Sequence, residues 1–191
     1  MVQNLERIYT AVDLMTMPED DPKRYELFHG ELIEMPAPTQ RHSLLTTYMF
    51  GMIFIYLRNN RIGKVTSSGA YLLYRDEADG AETVRIPDIA FVGNERRTSN
   101  LTGIFDGPPD LAVEVISPGE TYRTIRLKLQ DYFKGGTRVV WVVRSEDRII
   151  EVYTGLDELH TLTDADTLDG ADVLPGFSLS IRDLFDYPEA P

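Results

Sequence analysis

Two acidic residues stand in stretches that are otherwise apolar. Asp88 follows Pro87 and precedes Ile89-Ala-Phe-Val92, and Glu114 lies within Leu111–Ile116. An unpaired buried carboxylate is costly, so each acid must be ion-paired, hydrogen-bonded or bound to a cation. A structural ion pair with an arginine is the alternative for Glu114, and a Pro-Asp turn is the alternative for Asp88. Two such acids on successive strands favour a shared cation site.

A basic side chain is available from a helix predicted over residues 121–134. The apolar residues of this helix form one stripe, with Lys128 at one border and Arg126 at the other. Either side chain could extend its charge toward the strand that carries Glu114. An ordinary lysine that covers apolar surface is the alternative for Lys128, and periodicity does not choose between the two bases.

The residue types favour a hard divalent cation. The chain has no cysteine and only three histidines, which argues against zinc, whereas carboxylate oxygens suit Mg²⁺ or Mn²⁺. The sequence has no Gly-x-x-x-x-Gly-Lys-Ser/Thr, Gly-x-Gly-x-x-Gly or Gly-x-Ser-x-Gly motif. Aspartate, glutamate and lysine around a divalent ion fit hydrolysis of a phosphodiester, because the metal offsets phosphate charge and activates water.

The elements that must position these groups form an α/β pattern with a mixed sheet. A capping box of Thr10 and Asp13 predicts a short first helix, and alternation around His29-Gly30 predicts a hairpin. The remaining predictions are a buried helix at 41–58, strands within 64–75, buried strands at 84–92 and 111–116, the helix at 121–134 ended by Gly135-Gly136, a strand pair at 138–144 and 148–153, and short strands with a last helical turn at 181–185.

Length and charge set further limits. The 191 residues suit one domain over 1–191, and the net charge of -12 alone argues against a nucleic-acid partner. However, residues 151–191 hold ten acids and one arginine, whereas residues 121–144, next to the candidate site, hold six bases and one acid. The acids are thus concentrated in the C-terminal segment, where we expect DNA not to bind. This location weakens the argument that the net charge makes against a nucleic-acid partner.

No membrane or export signal is expected. The start of the chain lacks a basic segment followed by an apolar run, and the longest uncharged stretch, 43–57, is shorter than the roughly 20 residues that span a bilayer. We predict a cytoplasmic protein without a membrane segment.

Several motifs together resemble the Uma-two family of restriction endonucleases, within the PD-(D/E)XK nuclease superfamily. The resemblance covers nearly the whole chain, and its specificity comes from the order and spacing of the motifs. They are Tyr25-Glu-Leu-Phe-His-Gly-Glu31, His42 at the start of the long helix, Arg85-Ile-Pro-Asp88, Pro109-Asp-Leu-Ala-Val-Glu-Val-Ile-Ser-Pro118, Lys128-x-x-x-Tyr132 with Gly135, Trp141-Val-Val143, Leu174-Pro-Gly-Phe-Ser-Leu179 and Leu184-Phe185.

The resemblance implies a restriction-endonuclease-like fold: a central mixed sheet flanked by helices, with an added N-terminal hairpin and C-terminal strands. It implies that Asp88 and Glu114 ligate the metal, and that Glu31 is a third acid near it; an exposed hairpin acid is the alternative for Glu31. The superfamily lysine would stand two residues after Glu114, but that position is Ile116. The resemblance suggests that Lys128 takes its place.

Two further residues leave alternatives. Asp110 repeats the Pro-Asp pair four residues before Glu114, but we favour Asp88 because it adjoins an apolar strand while Asp110 stands at a strand entrance. His42 could contact phosphate or cap its helix, and we favour a structural role.

The expected function is a metal-dependent DNA endonuclease that uses Mg²⁺ or Mn²⁺, with a homodimer expected by analogy. An inactive nuclease-fold binding module is the main alternative, because of Ile116 and the acidic charge. A metal-dependent phosphatase is a third possibility, without a small-ligand motif to support it.

Overall fold

The computed structural model describes residues 7–18, 23–96, 102–117 and 119–187. Pro118 of the family motif and the first residues considered for a signal peptide lie outside these ranges. The helices are α1 (Ala11–Met15), α2 (Gln40–Asn59), α3 (Tyr122–Gly135) and α4 (Ile181–Asp186). The strands are β1 (Arg24–Phe28), β2 (Glu31–Met35), β3 (Gly63–Ser67), β4 (Tyr71–Arg75), β5 (Glu82–Arg85), β6 (Ile89–Gly93), β7 (Phe105–Asp106), β8 (Leu111–Ile116), β9 (Val139–Arg144), β10 (Ile149–Gly155), β11 (Glu158–Leu162), β12 (Thr167–Gly170) and β13 (Leu174–Ser180).

Local sequence signals explain where several elements begin and end. The capping box of Thr10 and Asp13 is present at the start of α1. His29 and Gly30 both have positive φ, at 50° and 77°, as a two-residue hairpin turn between β1 and β2 requires. Helix α3 begins after its N-cap Thr121 and ends at Gly136, whose φ of 98° is left-handed. These predictions are confirmed.

The central sheet has six strands in the order β11-β10-β9-β8-β6-β3. Strands β8 and β9 are parallel, and the other neighbours are antiparallel, so the sheet is mixed as expected. One face packs against α2 and α4 in a core that includes Trp141, and the other face packs against α3. The predicted α/β architecture, a mixed sheet flanked by helices, is confirmed.

A second sheet has five strands in the order β2-β1-β5-β4-β7 and contains the N-terminal hairpin. Helix α3 shares one apolar core with β4 of this sheet and with the central sheet, through residues such as Leu73, Leu129 and Val142. Near the C-terminus, β12 and β13 form a separate antiparallel pair. The hairpin and the C-terminal strands are therefore additions to the central sheet, as the resemblance implied. None of the helices in the described ranges is long and apolar enough to cross a membrane.

The prediction of one strand over 84–92 is wrong in a way that matters for the site. Strand β5 ends at Arg85 and β6 begins at Ile89, and the two strands lie in different sheets. Pro87 has no N–H to donate to a strand ladder, which favours a break at this point. The chain therefore crosses between the sheets at 86–88, and Asp88 stands at the junction.

Candidate active site

A cleft of about 240 Å³ opens where the two sheets and the first turns of α2 meet. Asp88, Glu114 and Lys128 all line it. Three of the four catalytic residues predicted from the sequence are thus brought together, although they come from an inter-sheet crossing, strand β8 and helix α3.

Strand register explains how the two acids meet. In the antiparallel pair β6–β8, Ile89 is opposite Val113 and Ala90 is opposite Ala112. Continuing this register by one residue sets Asp88 opposite Glu114. Asp88 does not extend the ladder; its carboxylate instead accepts a hydrogen bond from the backbone N–H of Val115 at 2.7 Å. The two acids are therefore neighbours across adjacent strands.

Both carboxylate oxygens of Glu114 have a donor from α3. The Lys128 ammonium lies 2.8 Å from Oε2, and the Tyr132 hydroxyl donates to Oε1 at 2.6 Å. Burial disfavours the ionised carboxylate and, although Lys128 opposes this effect, the charges of Asp88 and Glu26 add to it, so the pKa of Glu114 is raised to about 7. An additional cation in the cleft would therefore stabilise the ionised form of Glu114.

The structure chooses between the two candidate bases. Arg126 turns away from the site and donates to the Leu156 carbonyl oxygen and to Asp157. For Lys128, burial lowers the pKa, but the charge of Glu114 outweighs it and raises the pKa above its usual value, so the ammonium is charged. Glu120 adds a third acid at 3.8 Å from Lys128 and also accepts from the Ser117 N–H.

His42 does not cap α2, because Thr39 is the N-cap. Its Nε2 lies 3.1 Å from Asp88, and its side chain lines the cleft. Burial opposes protonation, but the hydrogen bond and the charge of Asp88 outweigh it and raise the pKa of His42. The histidine therefore connects α2 to the acidic wall, a contact that the sequence analysis did not identify.

Glu31 is not in the cleft, which corrects the role that the resemblance implied for it. It is exposed and pairs with Phe28 at the turn of the hairpin, whereas the cleft begins at the opposite end, where Arg24 pairs with Met35. The four residue steps between these ends span about 13 Å of strand. Glu31 is thus an exposed acid of the hairpin, which was the alternative given for it in the sequence analysis.

The buried acid of the hairpin is Glu26, which the sequence analysis missed. Its carboxylate accepts from Arg85 at 2.8 Å and from the Ile86 N–H at 2.8 Å. Arg85 also donates through Nε to Asp131 of α3 at 2.9 Å, and Tyr74 donates to the same acid. This buried network links the junction of the two sheets to α3. Arg85 and Ile86, which take part in it, stand immediately before Pro87 and Asp88 in the chain. Glu26 lies within the motif Tyr25–Glu31, so the signal was present and was assigned to the wrong acid.

Asp110, the acid of the second Pro-Asp pair, lies outside the cleft lining. It accepts from the Gly93 N–H at 2.7 Å and pairs with Arg96 at 3.2 Å. These contacts stabilise the start of β8. They agree with the choice of Asp88 over Asp110 as the acid of the site.

The basic segment 121–144 is largely neutralised by the fold. Five of its six bases form ion pairs with carboxylates: Arg126 with Asp157, Lys128 with Glu114, Lys134 with Asp76, Arg138 with Asp172 and Arg144 with Glu151. The bases that the sequence places next to the site are therefore mostly compensated by acids from other elements.

The donor set of the cleft fits a hard cation. Mg²⁺ is usually held by one or two carboxylates, with water and substrate phosphate oxygens completing its coordination. Asp88 and Glu114 supply two neighbouring carboxylates that line the cleft. Within the described ranges, no three histidine, aspartate or glutamate side chains form a ready-made metal cluster.

The α/β fold of this chain is shared with a protein of solved structure. A crystal structure of a "putative nuclease belonging to DUF820" from Anabaena variabilis ATCC 29413 matches with a TM-score of 0.78 over 93% of this chain and 98% of that chain. The two sequences are 22% identical, so this similarity shows the fold alone.

The chain belongs to the Uma2 family, described as "Putative restriction endonuclease", whose model matches residues 11–182. This confirms the resemblance seen in the sequence, and it supports a nuclease function in general terms. No curated protein is similar enough to the chain to count as a match.

Proposed function

We propose that this protein is a metal-dependent endonuclease that hydrolyses phosphodiester bonds in DNA. The observation that carries the proposal is the convergence of Asp88, Glu114 and Lys128 in one cleft, with the lysine 2.8 Å from the glutamate. Family membership supports a nuclease, and the residues of the cleft supply the finer assignment.

Asp88 and Glu114 would hold a divalent ion, Mg²⁺ or Mn²⁺, between the crossing at 86–88 and β8. When bound, such an ion offsets phosphate charge and lowers the pKa of a water molecule. Tyr132 fixes the orientation of the Glu114 carboxylate through its hydrogen bond. Lys128 places a fixed positive charge at the same carboxylate, where it can stabilise negative charge that develops on the phosphate.

The position of Lys128 favours catalysis over an inactive binding module. Ile116 stands where the superfamily lysine would be, and it is partly buried against the apolar core around α3. The ammonium that this position lacks is supplied from α3 by Lys128. The departure at Ile116 therefore does not leave Glu114 without a lysine.

Plasmid and single-stranded DNA cleavage in Mg²⁺ or Mn²⁺ tests the function. We expect cleavage by the wild-type protein and its loss in Glu114→Gln, Asp88→Asn and Lys128→Met. Asp110→Asn is the matched control, because it changes the other Pro-Asp acid, which lies outside the cleft. Equal cleavage by wild type and Glu114→Gln would contradict the assignment.

DNA is the proposed partner, and we retain a cytoplasmic homodimer as the expectation by analogy with nucleases that cut both strands. Sedimentation equilibrium of the full chain measures the oligomeric state, and a monomer at all concentrations would overturn this expectation.

A further inference from the structure

One oxygen of the Asp88 carboxylate is contacted by two donors. Its Oδ2 accepts a hydrogen bond from the backbone N–H of Val115 at 2.7 Å and lies 3.1 Å from Nε2 of His42. Val115 belongs to β8 and His42 to the first turn of α2, so the two donors reach the carboxylate from different elements. Donors on two separate elements fix the orientation of the carboxylate that they share.

The other oxygen of Asp88 is free of such contacts. Oδ1 has no hydrogen-bond donor among the described residues, and it is not buried. In Glu114, by contrast, Oε1 accepts from Tyr132 and Oε2 from Lys128. Within the described ranges, Oδ1 of Asp88 is therefore the one oxygen of the two carboxylates that has no donor.

The surroundings of His42 indicate which of its ring nitrogens carries the proton. An ionised carboxylate can only accept a hydrogen bond, so Nε2 is the donor to Asp88. Nδ1 is buried and has no hydrogen-bond partner in the part of the chain that the structure describes. With the proton on Nε2, Nδ1 is only an unpaired acceptor, which is less unusual in proteins than a buried N–H without an acceptor. The contacts therefore favour the Nε2–H tautomer.

A histidine held in this way is not itself available to a metal ion. Ligation needs a nitrogen lone pair, but Nε2 carries the proton, and Nδ1 has no surface that a cation could reach. The His42 side chain is nevertheless part of the cleft wall. It therefore acts on the carboxylate of Asp88 and not directly on a cation.

We propose that His42 is a positioning residue: together with the Val115 N–H, it fixes Asp88 through Oδ2 and so leaves Oδ1 oriented for a divalent cation. The proposal rests on the proposed function, in which Asp88 holds the ion. Hydrogen bonds orient carboxylates that ligate metals, and loss of such a partner weakens metal binding by about 10–100-fold. A carboxylate that is already oriented loses less freedom when the ion binds.

The tautomer is tested in the metal-free protein, without any cleavage. Long-range ¹H–¹⁵N correlation spectra at pH 9 distinguish the two nitrogens of a neutral imidazole. The chain has three histidines, so the signals that disappear in His42→Gln identify those of His42. We expect the Nε2–H tautomer. The Nδ1–H tautomer would overturn the proposal, because Nε2 could then not donate to Asp88.

Mn²⁺ binding, followed by calorimetry, tests the positioning itself. His42→Leu removes the donor, and we expect it to weaken Mn²⁺ binding about tenfold. His42→Gln offers an amide N–H in place of Nε2, and we expect its affinity to lie within about threefold of wild type. Recovery by glutamine separates loss of the hydrogen bond from a general packing defect. If His42→Gln binds as weakly as His42→Leu, the hydrogen bond is not the cause and the proposal is wrong.

His29→Asn is the matched control. His29 also lies 3.1 Å from an aspartate, Asp79, but this pair is exposed at the hairpin turn, outside the cleft lining. Asparagine tolerates the positive φ of this position. We expect His29→Asn to bind Mn²⁺ like wild type.

Electron spin echo spectra of bound Mn²⁺ distinguish a positioning residue from a ligand. We expect no ¹⁴N coupling from an imidazole. Coupling in wild type that disappears in His42→Gln would show that His42 binds the ion, which would overturn the proposal. If wild type binds Mn²⁺ and His42→Leu binds it equally well, the positioning role is wrong and the proposed function stands. If wild type binds no Mn²⁺, the proposed function fails together with the proposal.

Discussion

The Lys128 ammonium lies 2.8 Å from the Glu114 carboxylate, although the two residues stand on different elements, 14 positions apart. The lysine comes from α3, which packs over the face of β8 that carries Glu114. The charge is thus held by helix packing, and the strand position two residues after Glu114 is free to carry the apolar Ile116. The site keeps its pairing of acid and lysine while the core stays apolar.

This pairing predicts opposite effects for two substitutions on the stability of the metal-free protein at pH 8. Lys128→Met leaves Glu114 buried and uncompensated, and we expect it to lower the free energy of unfolding by about 3 kcal/mol. Glu114→Gln removes the buried carboxylate, keeps an amide oxygen as acceptor for Lys128 and leaves Glu120 3.8 Å from the ammonium, so we expect equal stability or a gain of up to about 2 kcal/mol. Urea unfolding measures both. A larger loss in Glu114→Gln than in Lys128→Met would show that Glu114 is mainly a structural ion-pair partner.

The pKa of Glu114 predicts a pH dependence of stability. Because the pKa rises from 4.5 to about 7 on folding, the folded protein binds more protons than the unfolded chain between these pH values. Stability from this group therefore falls as pH rises from about 4.5 to 7, by up to about 3 kcal/mol. Other groups also titrate, so the measurement is the difference between wild type and Glu114→Gln in urea unfolding at pH 5, 6, 7 and 8. If the free energies of unfolding of wild type and Glu114→Gln changed with pH in parallel, this prediction would be refuted.

Arg85 is predicted to be among the most sensitive charged residues for stability. Its side chain is 5% exposed and compensates both Glu26 and Asp131, so Arg85→Met leaves two buried carboxylates without a cation. We expect a loss of about 3–5 kcal/mol in the free energy of unfolding.

Arg75→Met is the control for this prediction. Arg75 also pairs with two acids, but its side chain is 53% exposed, so a loss under about 1 kcal/mol is expected. Similar losses for the two arginines in chemical denaturation would contradict the importance of the buried network.

Tyr132→Phe is predicted to act on Glu114 through its lost hydrogen bond. The hydroxyl donates to the ionised form of Glu114, so its removal raises the pKa of that carboxyl further and weakens Mn²⁺ binding near pH 7. We expect a stability loss of about 1–2 kcal/mol as well. Tyr74→Phe removes a similar hydrogen bond to Asp131 and should leave Mn²⁺ affinity unchanged. Equal Mn²⁺ affinities in calorimetry for the two variants would argue against a role for Tyr132 at the site.

Glu31→Gln is predicted to have no effect on Mn²⁺ affinity or on cleavage. Its carboxylate is exposed at the turn of the hairpin, at the end away from the cleft. Calorimetry and plasmid cleavage measure both properties. A loss comparable to that of Asp88→Asn would restore Glu31 as a third acid of the site.

Local signals in the sequence determined most of the secondary structure and the two acids. The capping box at Thr10, the turn at His29-Gly30 and the end of α3 at Gly136 depend on residues close in sequence, so they could be predicted from it. Asp88 and Glu114 were identifiable because a carboxylate beside or within an apolar strand is costly unless it has a partner. The family motifs added the resemblance to the Uma-two family, which the family model confirms.

The tertiary structure decided which side chains meet. Lys128 and Arg126 stand at the two borders of one helical stripe, and only the packing of α3 shows which border faces Glu114. Glu26 and Arg85 are 59 residues apart, so their contact depends on how β1 and β5 lie together. The same holds for His42 and Asp88, 46 residues apart.

The sequence by itself therefore determined that this protein has buried carboxylates that need a cation or another partner, and an α/β framework to hold them. Only the tertiary structure decided that Glu26 and not Glu31 is the buried hairpin acid, and that the bases of 121–144 are mostly paired. The physical reason is that burial and ion pairing depend on distances between residues far apart in the chain, which periodicity and local propensity do not contain.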